Sequence, residues 1–213
     1  MTTLTLYDYF RSSASYRVRI ALNLKGVSAD KVDISLLDEI QKSSDYLAKN
    51  PEGLVPALDV GDAILSQSLA IIEYLEETTP KPPLLPAEPI ARAKARGLAY
   101  AIACDIHPIN NLRILTYLKD KLSIDKSARD EWYRHWITVG FEGVEARLRA
   151  QKQPSTFCCG DAPTIADVCL APQMFNARRF ECDLSPFPNL VRIDANCAAL
   201  PAFSAAAPKP PAA

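Results

Sequence analysis

The stretch LTLYDYFRSSASYRVRIALNLKGVSADKVDISL, residues 4–36, changes its periodicity twice, and that change decides the fold. Leu4 and Leu6 alternate with threonine, as in a short strand. Residues 12–25 then read as a helix. Ser12 and Ser13 are candidate N-caps, Val18, Ala21, Leu22 and Lys25 recur at helical spacing, and Gly26 suits the position just past a helix end. Strand-like alternation returns at Val32, Ile34 and Leu36. Further on, residues 38–49 read as a helix ending at Asn50-Pro51. Ala57 and the pair Ile64-Leu65 fall in two short strands joined by a turn at Gly61-Asp62, and 68–77 is a helix opened by a serine. The order β-α-β-α-β-β-α, a crossover followed by a hairpin, is the thioredoxin-like arrangement. Pro56 stands at the start of a central strand, where a trans proline would remove a ladder bond, so a cis Val55-Pro56 peptide is expected.

Residues 80–89, PKPPLLPAEP, are half proline and interrupt both kinds of regular structure. Beyond them the pattern is helical: 90–106, a segment starting near Pro108, 127–150 with Trp132, Trp136, Val139 and Leu148, and 164–174. The last opens on Thr164-Ile165-Ala166-Asp167, a capping box with Asp in the place of Glu. The tail PAFSAAAPKPPAA lacks periodicity and bulk and is expected to be loosely ordered. The expectation is an α/β thioredoxin-like domain over 1–80, a linker over 81–89, and an all-α domain over 90–213.

With 24 Lys and Arg against 25 Asp and Glu, the chain of 213 residues has no global field to hold a polyanion, so nucleic acid is not an expected partner. No apolar run approaches the ~20 residues that span a bilayer, and no membrane association is expected. The start MTTLTLYDYF has neither a basic n-region nor an apolar h-region, which points to the cytoplasm. Six cysteines, all beyond residue 100, show neither a C-x-x-C pair nor zinc-ligand spacing, and read as packing residues. His107 and His135 are the only histidines, and no metal site is expected.

In a thioredoxin-like domain the N-terminus of the first helix stabilises a thiolate, through unpaired amides and the helix dipole. Here that place reads Arg11-Ser12-Ser13-Ala14-Ser15, without sulfur. Either the serines merely cap the helix, or the thiolate arrives on a small molecule and a serine hydroxyl donates to it. Ser66-Gln67-Ser68 opens the last helix of the domain as a natural carboxylate site, and the Val55 backbone beside Pro56 is placed to pair with a peptide-like ligand. A short anionic peptide carrying a thiol meets all three demands, and glutathione is that molecule.

The segments R-S-S-A-S-Y-R-V-R-I-A-L-N-L-K-G (Arg11–Gly26), N-P-E-G-L-V-P-A-L (Asn50–Leu58), S-Q-S-L-A-I-I-E-Y-L-E-E (Ser66–Glu77), C-D-I-H-P-I-N-N-L-R (Cys104–Arg113) and D-A-P-T-I-A-D-V-C-L-A-P-Q (Asp161–Gln173) resemble, in order, the zeta class of glutathione transferases. The resemblance runs from about residue 4 to 205. It implies the glutathione transferase fold, a homodimer, and a glutathione-dependent cis-trans isomerase that converts a maleyl diketo acid, maleylpyruvate or maleylacetoacetate, into its fumaryl isomer.

Residue by residue, the resemblance implies that Ser12 faces the glutathione sulfur with Ser13 beside it. Val55 and Pro56 pair with the cysteinyl backbone, and Gln67 and Ser68 hold the γ-glutamyl carboxylate. His107 and Asn111 close over glutathione and substrate, although His107 also reads simply as a helix-end residue before Pro108. Arg11 and Arg179 resemble the arginines that hold the carboxylates of a small dicarboxylate, with Arg178 the competing candidate for the second position. Ala14 departs from the usual motif, which carries cysteine there; family members acting on maleylpyruvate also lack it, so the departure leans toward that substrate. Two rivals remain: a transferase or dehalogenase acting on small α-haloacids, and a non-catalytic glutathione-binding module.

Overall fold

The computed structural model describes residues 4–151 and 153–209. The chain divides into two compact units, one built from the chain up to Pro83 together with the segment from Pro201 on, the other from Leu84–Leu200.

In the first unit, β1 (Leu4–Asp8), α1 (Ser13–Lys25), β2 (Ala29–Asp33), α2 (Ser44–Leu47), β3 (Ala57–Asp59), β4 (Ile64–Ser66) and α3 (Ser68–Thr78) follow in chain order. The sheet order is β2-β1-β3-β4. β1 runs parallel to β2, with Leu6 opposite Lys31, and antiparallel to β3, where Leu6 faces Leu58; β3 and β4 form the hairpin. This is the thioredoxin-like topology expected from the alternating periodicities. α1 lies where its signals put it: the Ser12 hydroxyl oxygen accepts from the Ser15 amide, and Gly26 closes the helix in the left-handed region at φ 63°. The Val55-Pro56 peptide is cis, as expected. Leu6, Val18, Ile20, Leu58, Ile71 and Leu75 form the dry centre, with α1 and α3 packed together.

Two sequence readings are corrected here. β2 ends at Asp33, before the alternation of Val32, Ile34 and Leu36 is complete. Ile34, just past the strand, still donates its amide to the Asp8 carbonyl of β1 and is buried beside Tyr7, Tyr9 and Tyr46, whereas Val32 is exposed. The helix read over 38–49 is broken into a 3₁₀ turn (Ile40–Lys42) and the one-turn α2, because Glu39 takes a left-handed conformation and Ser43 is extended as the N-cap of α2.

The tail is a third correction. Pro201–Ser204 forms α9, packed against α1. Phe203 and Ala206 are buried, the Tyr16 hydroxyl donates to the Phe203 carbonyl at 3.4 Å, and the Arg19 Nε donates to the Ala206 carbonyl at 3.0 Å. Arg19 is itself buried and ion-paired to Asp8 at 2.6 Å, and it also donates to the Phe10 carbonyl. One guanidinium thus fastens the end of β1, the following loop and the tail. Residues 210–213 of the tail lie outside the described residues.

The second unit is helical among its described residues: α4 (Pro89–Tyr100), α5 (Leu112–Asp120), α6 (Lys126–Arg149), α7 (Ile165–Arg179) and α8 (Pro188–Ala198). The helix read over 90–106 changes at Ala101 into a π-helical segment, Ala101–Ile106, and a 3₁₀ turn, Pro108–Asn110, follows. α6 lies close against this segment; a Cβ on Gly140 would fall 2.2 Å from a side-chain carbon of Ile106. Leu84 and Leu85, inside the proline-rich stretch, are buried, and the Ile165 amide donates to the Leu84 carbonyl. α7 runs on through Pro172 to Arg179, five residues past the expected end. None of the described helices is long and apolar enough to cross a membrane.

The capping box of α7 is present in full. The Asp167 carboxylate accepts from the Thr164 amide at 2.8 Å, the Thr164 hydroxyl at 3.0 Å and the Cys158 amide at 2.7 Å, all buried. Burial outweighs these bonds and raises the Asp167 pKa. Asp167→Ala strands two buried amides and is expected to cost about 2–4 kcal/mol, measured by urea unfolding. A shift within error would contradict the nucleating role.

Candidate active site

Three of the expected glutathione contacts are built on the first unit by helix ends and a strand start. At the N-terminus of α1 the Ser12 hydroxyl spends a lone pair on the Ser15 amide, at 3.2 Å, and no bond spends its proton among the described residues. Capping and donation to a sulfur are therefore compatible uses of the same group. No acidic residue stands in the first turn of α1, so the helix itself sets no like charge against an anion at the dipole's positive end. Ser12 is half-buried, Ser13 buried, and Arg11 exposed, with its guanidinium over the Phe10 ring and one N–H on the Tyr9 hydroxyl at 3.3 Å.

Gln67, the N-cap of α3, sits at φ 67° and ψ 113° and makes no side-chain cap bond, which leaves the first-turn amides of α3 open to a carboxylate. Ser68 is buried, and its hydroxyl accepts from Arg17 at 3.2 Å, linking the starts of the two helices. Val55 is buried, and its backbone N–H and C=O make no hydrogen bond to the described residues. The preceding carbonyl, of Leu54, is in contrast held from two sides, by the Tyr46 hydroxyl at 2.7 Å and the Asn50 amide at 2.8 Å. Burial pushes the Tyr46 phenol up to about 12, so it remains a donor at neutral pH.

Sequence reasoning missed Glu52. Its carboxylate accepts from the Gln67 side-chain amide at 2.7 Å and from the Ser66 hydroxyl at 3.2 Å, and so orients the residue expected to meet the γ-glutamyl end. Its signal lay inside the quoted Asn50–Leu58 segment, but only the fold brings it to the start of α3.

The remaining candidates lie on the second unit. His107 follows the π-helical segment, with its amide bonded to the Ile102 carbonyl. Asn111 is the N-cap of α5, its side-chain oxygen accepting from the Arg113 amide at 3.1 Å. Arg178 is ion-paired to Asp194. Arg179 instead lies over the Phe180 ring, 4.5 Å from its centroid, and lines a cleft of about 610 Å³ with Leu112 and Leu115 of α5. Of the two adjacent arginines, Arg178 is thus held in an ion pair with Asp194, whereas Arg179 lines the cleft. Beneath it, burial pushes the Tyr133 phenol up to about 12, against the opposing charge and hydrogen bond of Arg179. Tyr133 also stacks on Phe180, ring centroids 3.6 Å apart.

Residues 2–77 match the sequence profile of the glutathione S-transferase N-terminal domain. A probable maleylacetoacetate isomerase of Vibrio cholerae is 48% identical, over 98% of this chain and 97% of its own. Among solved structures, the holo form of a maleyl pyruvate isomerase, described as a bacterial zeta-class glutathione S-transferase, superposes with a TM-score of 0.96 at 46% identity, covering 98% of this chain and all (100%) of that one. The chain belongs to the zeta class of glutathione transferases. A second structure, a maleylacetoacetate isomerase from Methylobacterium extorquens with malonate and glutathione bound, matches with a TM-score of 0.94 at 42% identity, over 98% of this chain and 99% of that one. Membership of the zeta class accounts for the thioredoxin-like sheet and the helical second unit.

Proposed function

We propose that the chain is a glutathione-dependent cis-trans isomerase that converts a maleyl diketo acid into its fumaryl isomer, with glutathione as a cofactor that is not consumed. The observation that carries this reading is the start of α1: a hydroxyl with its proton unspent, no acid in the first turn, and no cysteine of the protein's own. Such a place stabilises a thiolate brought by another molecule. Full-length relatives at 42–48% identity, named as isomerases of maleylacetoacetate or maleylpyruvate, support it.

Ser12 donates to the glutathione sulfur, with Ser13 adjoining. Val55 beside Pro56 pairs with the cysteinyl backbone, Gln67 and Ser68 receive the γ-glutamyl carboxylate, and His107 and Asn111 serve the glutathione and substrate contacts of the second unit. The sulfur lone pair forms a C–S bond to one carbon of the cis double bond, and the displaced π electrons move onto the conjugated oxo group as an enolate. The former double bond now rotates as a single bond. Collapse of the enolate re-forms the alkene as the trans isomer and expels the thiolate unchanged. Arg11 and Arg179 hold the substrate carboxylates and offset the developing charge.

The reading is of a cytoplasmic homodimer acting on a small dicarboxylate, and sedimentation velocity checks the dimer. An isomerase converts many equivalents of maleylpyruvate while all the glutathione is recovered. An enzyme whose main reaction is transfer to α-haloacids consumes one glutathione per turnover and leaves maleylpyruvate untouched. Nuclear magnetic resonance of the mixture separates the two, and loss of glutathione in step with product would contradict the isomerase.

A further inference from the structure

Arg17 stands in the second turn of α1, and only 2% of it is exposed. Its side chain reaches the start of α3, where one N–H donates to the Ser68 hydroxyl oxygen at 3.2 Å. α1 and α3 pack together within the first unit, so an apolar side chain of similar length would fill this space without the cost of burying a charge. What the guanidinium adds is an effect on Ser68. A guanidinium only donates, so it occupies a lone pair of the Ser68 oxygen and cannot take the hydroxyl proton. No bond among the described residues takes that proton either. The hydroxyl is thus left as a donor, polarised by the cation behind it. Beside it the first-turn amides of α3 are open, because Gln67 makes no side-chain cap bond, and neither α1 nor α3 has an acid in its first turn. A carboxylate at this place meets a donor hydroxyl, open amides and a permanent positive charge held out of solvent, where screening is weak.

We propose that Arg17 is a positioning residue for the γ-glutamyl carboxylate of glutathione: through its bond to Ser68 it commits the hydroxyl proton to the ligand, and its charge reinforces the N-terminus of α3. The proposal rests on the assignment of Gln67 and Ser68 to that carboxylate.

The test is calorimetric binding, to the full chain, of glutathione and of γ-aminobutyryl-cysteinylglycine, the same tripeptide without the α-carboxylate of its first residue. The native protein binds glutathione at least about tenfold more tightly than this analogue. Arg17→Met, which keeps an unbranched side chain and loses the charge and the donors, weakens glutathione about tenfold and leaves the analogue unchanged. Arg17→Lys, which keeps a charge without the planar fork, falls between the two and carries the test if Arg17→Met does not fold. Ser68→Ala weakens glutathione to a similar extent, and adding an Arg17 substitution to it costs less than the product of the single losses, because both changes act on one contact. Three results overturn the proposal: an unchanged glutathione affinity in the Arg17 variants, an equal weakening of both ligands by them, or losses that multiply fully in the double variant. Failure of the underlying assignment looks different: the native protein itself then binds the two tripeptides equally, and the proposal falls with it.

Discussion

Ser12→Ala is expected to slow glutathione-dependent isomerisation by about a hundredfold near neutral pH, and to recover part of that loss as the pH rises. The reacting species is the thiolate, and an ordinary thiol with a pKa of about 8.5 is mostly protonated at neutral pH. In the proposed site the Ser12 hydroxyl, the first-turn amides of α1 and the helix dipole would all favour the ionised sulfur and together lower its pKa. Removing the hydroxyl raises that pKa again; the thiolate fraction then falls most below pH 8 and returns above it. The same substitution removes the cap bond to the Ser15 amide, worth about 1 kcal/mol, which leaves the fold intact. Ser12→Thr keeps both a hydroxyl and a cap and should retain much of the rate. The pH–rate profile is the discriminating readout, because a purely structural cap would lower the melting temperature without moving the profile.

The largest expected effect on stability is at Arg19. It pairs with Asp8, donates to the Phe10 and Ala206 carbonyls, and lies over the Tyr16 ring, almost out of solvent. Arg19→Ala leaves the Asp8 carboxylate buried without its partner, and a loss of about 3–5 kcal/mol is expected, a large share of the total for a domain. Deleting the chain from Pro201 on removes the buried Phe203 and the carbonyls that Tyr16 and Arg19 use, and should also destabilise the first unit strongly. The two changes share one network, so together they should cost less than their sum. Urea unfolding of the single and combined variants measures this. A deletion with an unchanged midpoint would return the tail to the loosely ordered segment its composition suggests.

That tail shows where the sequence stops being readable. α1 was legible because its signals are local: a hydroxyl one residue before the helix, a glycine just after it, and apolar residues at helical spacing between. The Thr164–Asp167 box and the hairpin of β3 and β4 were legible for the same reason. The packing of the segment from Pro201 to Ala206 has no local signal, since its partners, the Tyr16 hydroxyl on the Phe203 carbonyl and the Arg19 guanidinium on the Ala206 carbonyl, come from α1. Likewise, helical periodicity continues through Ala101–Ile106, and only the close approach of α6 at Gly140 accompanies the change to π geometry. At the candidate site, Ser12, Val55, Gln67 and Ser68 could be named from helix ends and a strand start. Glu52 could not, because its role exists only where a loop meets the start of α3. Tyr133 and Arg134 read as ordinary members of α6 until α7 brings Arg179 and Phe180 beside them.

The most direct test of the account follows the absorbance of maleylpyruvate and of maleylacetoacetate with the purified protein, with and without glutathione. The account predicts that at least one of the two decays to its fumaryl isomer only when glutathione is present, with the glutathione concentration unchanged at the end. No glutathione-dependent decay of either substrate would contradict it.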